Sequence, residues 1–238
     1  MDTRITEVAE DVLQLSTYVA EADFTFNQYL VRAEEPLLFH TGPRQMFPLV
    51  SDAVANVLPL ETVRWVSFGH LESDECGSMN RWLAAAPEAT IAHTAIGVLV
   101  SLNDLADREP RPLNDGDVID LGGRRVRHLA TPQVPHGWDA GVLFEETTGT
   151  LFCGDLFTWG GGFDASTSGD LLDRAIEAED LFRATVIAPN TARTIRRLAE
   201  LDIRTLAPMH APAREGGATD LLLALADDYD RRLDAERD

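Results

Sequence analysis

Short, β-prone apolar runs occur in two successive groups along this chain, and helical patterns accompany the strands of each group. Apolar residues that cluster or alternate over about four to eight positions are typical of strands, whereas a spacing of three and four positions is typical of a helix. Each group can therefore form a sheet with its own helices. The order predicts an α/β fold: a four-layered αββα sandwich of two mixed sheets with helices on both outer faces.

The predicted elements fill the chain without a linker rich in Ser or Gly. We therefore expect a single domain, 1–238. The predicted strands are 12–15, 27–32, 36–40, 63–68 and 90–93, then 118–121, 124–130, 141–145, 150–154 and 205–207. The predicted helices are 47–58, 77–86 and 96–105, then 171–182, 191–201 and 219–236.

The charge of the chain excludes several classes of partner. It has 40 acidic residues against 20 basic ones, a formal net charge of −20, and every basic residue is Arg. Such a surface repels nucleic acid and anionic lipid, so we expect neither as a partner. The two cysteines are too few for a disulfide framework. The sequence has no long apolar run and no secretory leader, so we expect a cytoplasmic protein outside the membrane.

Residues with metal-binding chemistry follow the apolar run 63–68. His70, Glu72 and Asp74 alternate along the chain, so an extended loop could direct all three to one side. Imidazole with several carboxylates suits iron, manganese or zinc better than copper(I) or calcium. The alternative is a solvated acidic loop in an acidic protein, and this segment alone leaves both interpretations open.

Three distant residues favour the metal site. His136, Asp155 and His210 each follow a predicted strand, where loops from one sheet edge can converge. Asp155 ends an apolar strand, and a carboxylate there can bridge two cations about 3.5–4 Å apart. The combined set predicts a two-metal site.

These residues resemble the pattern of the metallo-β-lactamase-fold superfamily, in particular the diiron domain of flavodiiron proteins and their standalone oxygen-binding relatives. That pattern reads H-x-E-x-D-H, then His, then Asp nineteen residues later, then His near the end. It matches His70, Glu72, Asp74, His136, Asp155 and His210, and the resemblance extends to Asn27 and Tyr29 on an early strand. Classical zinc hydrolases of this fold have His at the position of Glu72.

The resemblance implies one metal held by His70, Glu72 and His136. Asp155 would bridge to a second metal held by His210, Asp74, and either Glu75 or water. Glu75 is a departure, because the family has His at this position. As a ligand it would add negative charge and favour harder ions, and the alternative is that it points to solvent and leaves the second site weak or empty.

The resemblance also implies a function. The expected cofactors are two iron ions, with zinc or manganese as possible substitutes, and no FMN or flavodoxin domain in this chain. The protein would bind or reduce dioxygen or nitric oxide as a homodimer. It would take electrons from a separate flavodoxin- or rubredoxin-like donor, or act as a sensor. The alternatives are a two-zinc hydrolase acting on an ester, thioester or lactone, and a binding module with a decayed site.

Several other residues have two interpretations. His40 could orient a metal ligand or be an ordinary core histidine, and we interpret His93 and His128 as structural. Trp138 and Asp139 could shape the mouth of the pocket. The aromatic residues around Gly160–Gly162 could form an apolar lid or an ordinary surface turn.

Overall fold

Two β-sheets pack face to face in the computed structural model of the protein, which describes residues 2–164 and 171–237. The strands of the first sheet are β1 (Thr3–Ala9), β2 (Val12–Val19), β3 (Phe24–Val31), β4 (Leu37–Phe39), β5 (Trp65–Ser67), β6 (Thr90–Thr94) and β7 (Arg111–Leu113). They lie side by side in sequence order, antiparallel from β1 to β4 and parallel from β4 to β7.

The second half of the chain forms the other sheet. Its strands are β8 (Val118–Asp120), β9 (Arg125–Ala130), β10 (Gly141–Glu145), β11 (Thr150–Gly154), β12 (Thr205–Pro208) and β13 (Arg214–Glu215). They too are adjacent in sequence order. The β11–β12 pair is parallel and the others are antiparallel, so both sheets are mixed.

Helices cover the outer face of each sheet. The first sheet carries α1 (Phe47–Ala55), α2 (Ser73–Cys76), α3 (Met79–Ala85), α4 (Ala95–Gly97) and α5 (Asn103–Leu105), the last two joined by a π-helical segment, Val98–Leu102. The second carries α6 (Leu171–Phe182), α7 (Thr191–Leu198) and α8 (Ala218–Ala235). In the ranges that the structure describes, no helix is both long and apolar enough to cross a membrane.

Three apolar clusters hold the four layers together. The central one lies between the sheets, where Phe152 of β11 lies 5.4 Å, centroid to centroid, from both Tyr29 of β3 and Phe39 of β4. Such aromatic pairs contribute about 0.5–1.5 kcal/mol beyond the burial of their surface. A cluster around Trp82 joins the first sheet to its helices, and a cluster around Leu222 joins the second sheet to α6, α7 and α8.

The predicted αββα architecture is confirmed, and the structure corrects three of its details. The predictions omitted β1, β7 and β13, which are short or lie at sheet edges with polar residues. The segment after β5 is not extended throughout, since Asp74 lies in the helical turn α2. Helices α1 and α7 end three residues before the predicted positions, at Ala55 and Leu198.

Candidate metal centre

Six side chains with metal-binding chemistry meet at one edge of the sandwich. In the first half of the chain, His70 and Glu72 follow β5 and Asp74 lies in α2. The second half contributes a residue from each of three loops: His136 after β9, Asp155 after β11 and His210 after β12. Because all these loops leave the strands at the same edge of the sandwich, residues distant in sequence become neighbours.

One group of ligand atoms comes from His70, Glu72, His136 and Asp155, all within 4.8 Å of one another. Oε2 of Glu72 lies 2.8 Å from Nε2 of His70 and 3.3 Å from Nε2 of His136. Oδ2 of Asp155 lies 3.3 Å from Nε2 of His136. Two imidazole nitrogens and two carboxylates so placed could surround a single cation.

A second group lies on the other side of Asp155. Nε2 of His210 is 3.3 Å from Oδ2 of Asp74 and 3.4 Å from Oδ1 of Asp155. The two oxygens of Asp155 therefore face different groups, Oδ2 the first and Oδ1 the second. This is the orientation that a carboxylate needs to bridge two ions.

In the two most buried imidazoles of the site, His210 and His70, Nδ1 contacts another group of the protein. Nδ1 of His210 lies 2.9 Å from the backbone oxygen of Thr25, and Nδ1 of His70 lies 3.2 Å from Oε1 of Glu75. A partner at Nδ1 keeps the proton there and leaves the Nε2 lone pair for a metal. The ring of His210 is thus oriented for metal binding through Nε2 by a hydrogen bond, and the ring of His70 by an ion-pair contact with Glu75.

The donor set fits a pair of cations. Oδ1 of Asp74 and Oδ1 of Asp155 are buried and have no hydrogen-bond partner among the described residues. Buried carboxylate oxygens normally have such a partner, because desolvating a charged oxygen without compensation is costly. A bound cation would supply the missing interaction. The mixture of imidazole and carboxylate suits iron, manganese or zinc.

Without a metal ion, the histidines of the cluster are protonated, as their pKa values indicate. Burial alone would lower the pKa of His70, but the nearby carboxylates of Glu75 and Glu72 raise it to about 12. Hydrogen bonds to Asp155 and Glu72 raise the pKa of His136 to about 9. Hydrogen bonds from His136 and His70 lower the pKa of Glu72. Protonated imidazoles thus balance the carboxylates, and a metal ion must displace those protons.

The seventh predicted ligand, Glu75, lies apart from the other six. Its side chain is completely buried, so the alternative in which it points to solvent does not occur. Its carboxylate is directed at the Nδ1 side of His70, whereas the other ligand atoms lie on the Nε2 side. His40 lies on the other side of Glu75, with Nδ1 at 3.5 Å from Oε2.

The loop that carries His210 is held by the first sheet. Asn27 donates its side-chain amide to the backbone oxygens of Pro208 and Ala211, at 3.0 and 2.8 Å, and its backbone N–H to Met209. The hydroxyl of Tyr29 donates to Pro208 at 2.7 Å. The sequence marked Asn27 and Tyr29 only by resemblance, since nothing in the chain order shows that β3 meets this loop.

Asp139 is a positioning residue that the sequence did not identify as such. It is buried, and its Oδ2 accepts hydrogen bonds from the backbone N–H of Leu71 at 3.0 Å and from Nε2 of His93 at 2.9 Å. His93, which we interpreted as structural, thereby fixes the loop between His70 and Glu72. Trp138, by contrast, is 42% exposed.

A pocket of about 220 Å³ opens over the ligands. Its wall is apolar on the side of α6, with a small polar group in which Thr185 bonds both Glu179 and Tyr229. Phe157 lines the pocket but is buried in the core, as is Trp159, so these two residues are not part of a surface lid. The apolar residues of the wall are Phe24, Pro135, Phe157, Ala175, Ala178, Phe182 and Ala184.

An αββα sandwich with two adjacent donor groups at its edge, and with Glu72 in the first of them, defines the class. The chain is a protein of the metallo-β-lactamase fold. More particularly, it belongs to the family described as ODP family beta lactamase, whose model matches residues 24–211.

Curated relatives are longer than this chain. It is 26% identical over 198 residues to a "Putative diflavin flavoprotein A 1" of Nostoc sp., which covers 79% of this chain and 33% of the relative. It is 28% identical over 207 residues to a "Coenzyme F420H(2) oxidase" of Methanothermobacter marburgensis, covering 78% of this chain and 50% of the relative. The chain thus spans about a third to a half of these relatives.

Solved structures share the fold. The flavodiiron core of Flv1 from Synechocystis sp. superposes with a TM-score of 0.79 at 21% identity, covering 98% of this chain and 61% of that one. The rubredoxin oxygen:oxidoreductase of Desulfovibrio gigas superposes with a TM-score of 0.80 at 17% identity, covering 97% and 62%.

Proposed function

We propose that this chain is a non-haem diiron protein that binds or reduces dioxygen or nitric oxide. The observation that carries the proposal is Asp155, whose two oxygens face two separate donor groups, one of them containing Glu72. His70, Glu72, His136 and Asp155 would hold the first iron, and Asp155, Asp74 and His210 the second. Two reduced irons held there would be able to supply electrons to one small ligand, and the carboxylates around them would favour the oxidised state.

The protein's own residues prepare this chemistry. Asp139 fixes the loop of His70 and Glu72, and Thr25 fixes the ring of His210. The apolar wall of the pocket suits a small uncharged ligand, because it offers few groups that could bind an ionic substrate. Glu179, Thr185 and Tyr229 form the hydrogen-bonded group in the same wall, where they could pass protons toward a reduced ligand.

The remaining parts of the proposal concern partners and location. The relatives include a coenzyme F420H2 oxidase and a rubredoxin oxygen:oxidoreductase, and each of these names contains an electron donor. We propose that this chain likewise takes electrons from a flavodoxin- or rubredoxin-like donor, as a cytoplasmic homodimer. Size-exclusion chromatography with light scattering tests the dimer, since a monomeric mass would contradict it.

Metal analysis tests the central proposal. The purified chain is reconstituted anaerobically with Fe²⁺, desalted and assayed for iron, and its absorption spectrum is recorded before and after exposure to air or nitric oxide. We expect two irons per chain and a visible band that changes with the gas. Asp155→Asn, which leaves a neutral amide between the two groups, should retain at most one iron.

The competing hydrolase makes the opposite prediction. Two tightly bound zinc ions that Fe²⁺ does not displace, together with turnover of an ester, thioester or lactone, would overturn the proposal. Glu72→His is a matched variant, because it restores the residue that classical zinc hydrolases have at this position. On our proposal it shifts metal preference from iron toward zinc.

A further inference from the structure

Glu75 stands where the family pattern has His, and its surroundings differ from those of a metal ligand. The side chain is fully buried at the end of α2. Oε2 accepts a hydrogen bond from the backbone N–H of His70 at 2.6 Å, and Oε1 lies 3.2 Å from Nδ1 of the same residue. Oε2 is therefore hydrogen-bonded to the backbone of His70, while Oε1 lies at ion-pair distance from its ring without meeting the geometry of a hydrogen bond.

The space for this carboxylate is built into the fold. A Cβ on Gly69 would lie 2.9 Å from Oε2 and 3.0 Å from Oε1 of Glu75, so a larger residue there would displace this carboxylate from its present position. His40 closes the other side, held by a hydrogen bond from its backbone N–H to Ser67 at 2.8 Å. The backbone oxygen of Glu75 accepts from Thr41 at 2.7 Å, which ties α2 to the same loop.

Glu75 and the candidate metal ligands lie on opposite sides of the His70 ring. Nε2 of His70 faces Glu72 at 2.8 Å and Asp155 at 3.8 Å, while Nδ1 faces Glu75. The two nitrogens of an imidazole point away from each other. A carboxylate placed against Nδ1 acts on the metal through the ring, by fixing its orientation and raising its basicity as a ligand.

We propose that Glu75 is a positioning residue for His70 and not a ligand of the second metal. The inference rests on the proposed two-metal function and deepens it. The second ion would have three protein ligands, Asp74, Asp155 and His210, and would be the more open of the two. The first ion would depend on the His70–Glu75 pair for its affinity, although Glu75 does not touch it.

The experiment measures each metal site separately. Asp74→Asn removes a ligand from the second group and leaves the first intact, whereas Glu72→Gln does the reverse. Glu75→Gln is added to each background, and Co²⁺ binding is titrated anaerobically by its visible absorption against a competing chelator. Loss of a hydrogen-bonding partner behind a metal-binding histidine typically lowers affinity by about 10–100-fold.

We expect this loss in the Asp74→Asn background, together with a shifted Co²⁺ spectrum, and a change of less than about 2-fold in the Glu72→Gln background. A merely structural role would weaken both sites alike and leave the spectrum of the first unchanged. Equal weakening, or selective weakening of the second site, would overturn the inference.

A second variant, Gly69→Ala, keeps the test decisive if Glu75→Gln fails to fold. Gly69→Ala keeps the carboxylate but displaces it through the close Cβ contact, so it should reproduce the selective weakening of the first site. Glu75→Asp, which retains the charge, should recover part of the affinity. If the unaltered chain bound no Co²⁺, the proposed function would fail as well, whereas a reversed pattern in the variants overturns only the role of Glu75.

Discussion

At the scale of single residues, the candidate centre is an array of charges that compensate one another. Glu72 and Asp155 lie against His70 and His136 at distances of 2.8 to 3.8 Å. Without metal, protonated imidazoles neutralise the carboxylates, and with metal the cations do so. The pH dependence of the metal-free chain should therefore report on these residues directly.

His136 provides the clearest pH test. Its pKa is raised from 6.5 to about 9 by Asp155 and Glu72. A raised pKa means that the folded state holds the proton more tightly than the unfolded state. The resulting stabilisation is fully present below pH 6.5 and is lost as pH rises through about 9. Urea unfolding in a chelator should give a falling free energy of unfolding over this interval.

The matched variant is His136→Gln. Its free energy of unfolding should fall less steeply with pH over the same interval, by a slope equivalent to about one proton. A slope remains in this variant because the pKa of His70 is also raised, to about 12. Identical slopes in the two proteins would contradict the assignment of His136 to the charged cluster.

The sequence could predict that the six candidate ligands lie together, and their binding of metal stays a prediction, but the direction of Glu75 could not be predicted. The spacing of His70, Glu72 and Asp74 leaves a solvated acidic loop open as well, and the three distant residues that match the family pattern, His136, Asp155 and His210, favour the metal site. The orientation of Glu75 depends on Gly69 and on His40, which the fold brings together from two loops. The local sequence around Glu75 does not show which residues surround its side chain in the fold.

At the scale of elements, periodic patterns were the reliable guide. Helix α6 has the predicted bounds, Leu171–Phe182, because its apolar residues recur at helical spacing along one face. Strands β1 and β7 were not predicted for an equally physical reason. β1 mixes polar and charged residues on a half-exposed edge, and β7 is three residues long with Pro112 in the middle.

Helix α8 supplies a matched pair of leucines for testing how the second sheet is covered. Leu222 is fully buried in the cluster between this sheet and its helices, while its neighbour Leu223 is 39% exposed. Leu222→Ala should lower the free energy of unfolding by about 2–5 kcal/mol, because it removes apolar contacts and leaves a cavity. Chemical denaturation at fixed pH measures the loss.

Leu223→Ala is the control on the same turn of the helix. It should change the free energy of unfolding by less than about 1 kcal/mol, since its side chain already contacts solvent. Comparable losses in the two variants would mean that α8 does not pack on the second sheet with the face that the structure gives it.

At the scale of the whole molecule, the net charge of −20 is a global destabilising influence. Repulsion among excess carboxylates favours expanded states, and salt screens it because the Debye length falls from about 30 Å at 0.01 M to about 10 Å at 0.1 M. The melting temperature of the metal-free chain should therefore rise when NaCl is added. Calorimetry or circular dichroism can follow the transition.

Local ion pairs act in the opposite direction. Arg196 contacts both Asp227 and Asp230 on the surface, and salt weakens such pairs. With twice as many acidic as basic residues, the repulsion should dominate. An equal concentration of a neutral osmolyte is the control for effects other than screening, and a melting temperature that falls with salt would show that the ion pairs prevail.

The position of the site has a consequence for the architecture as a whole. The first half of the chain contributes His70, Glu72 and Asp74, while the second contributes His136, Asp155 and His210. Ions bound at that edge would fasten the two sheets to each other across their seam, in addition to the apolar layer between them. Bound metal would then cross-link the two sheets, and the mechanical rigidity of the sandwich would depend on the occupancy of the site.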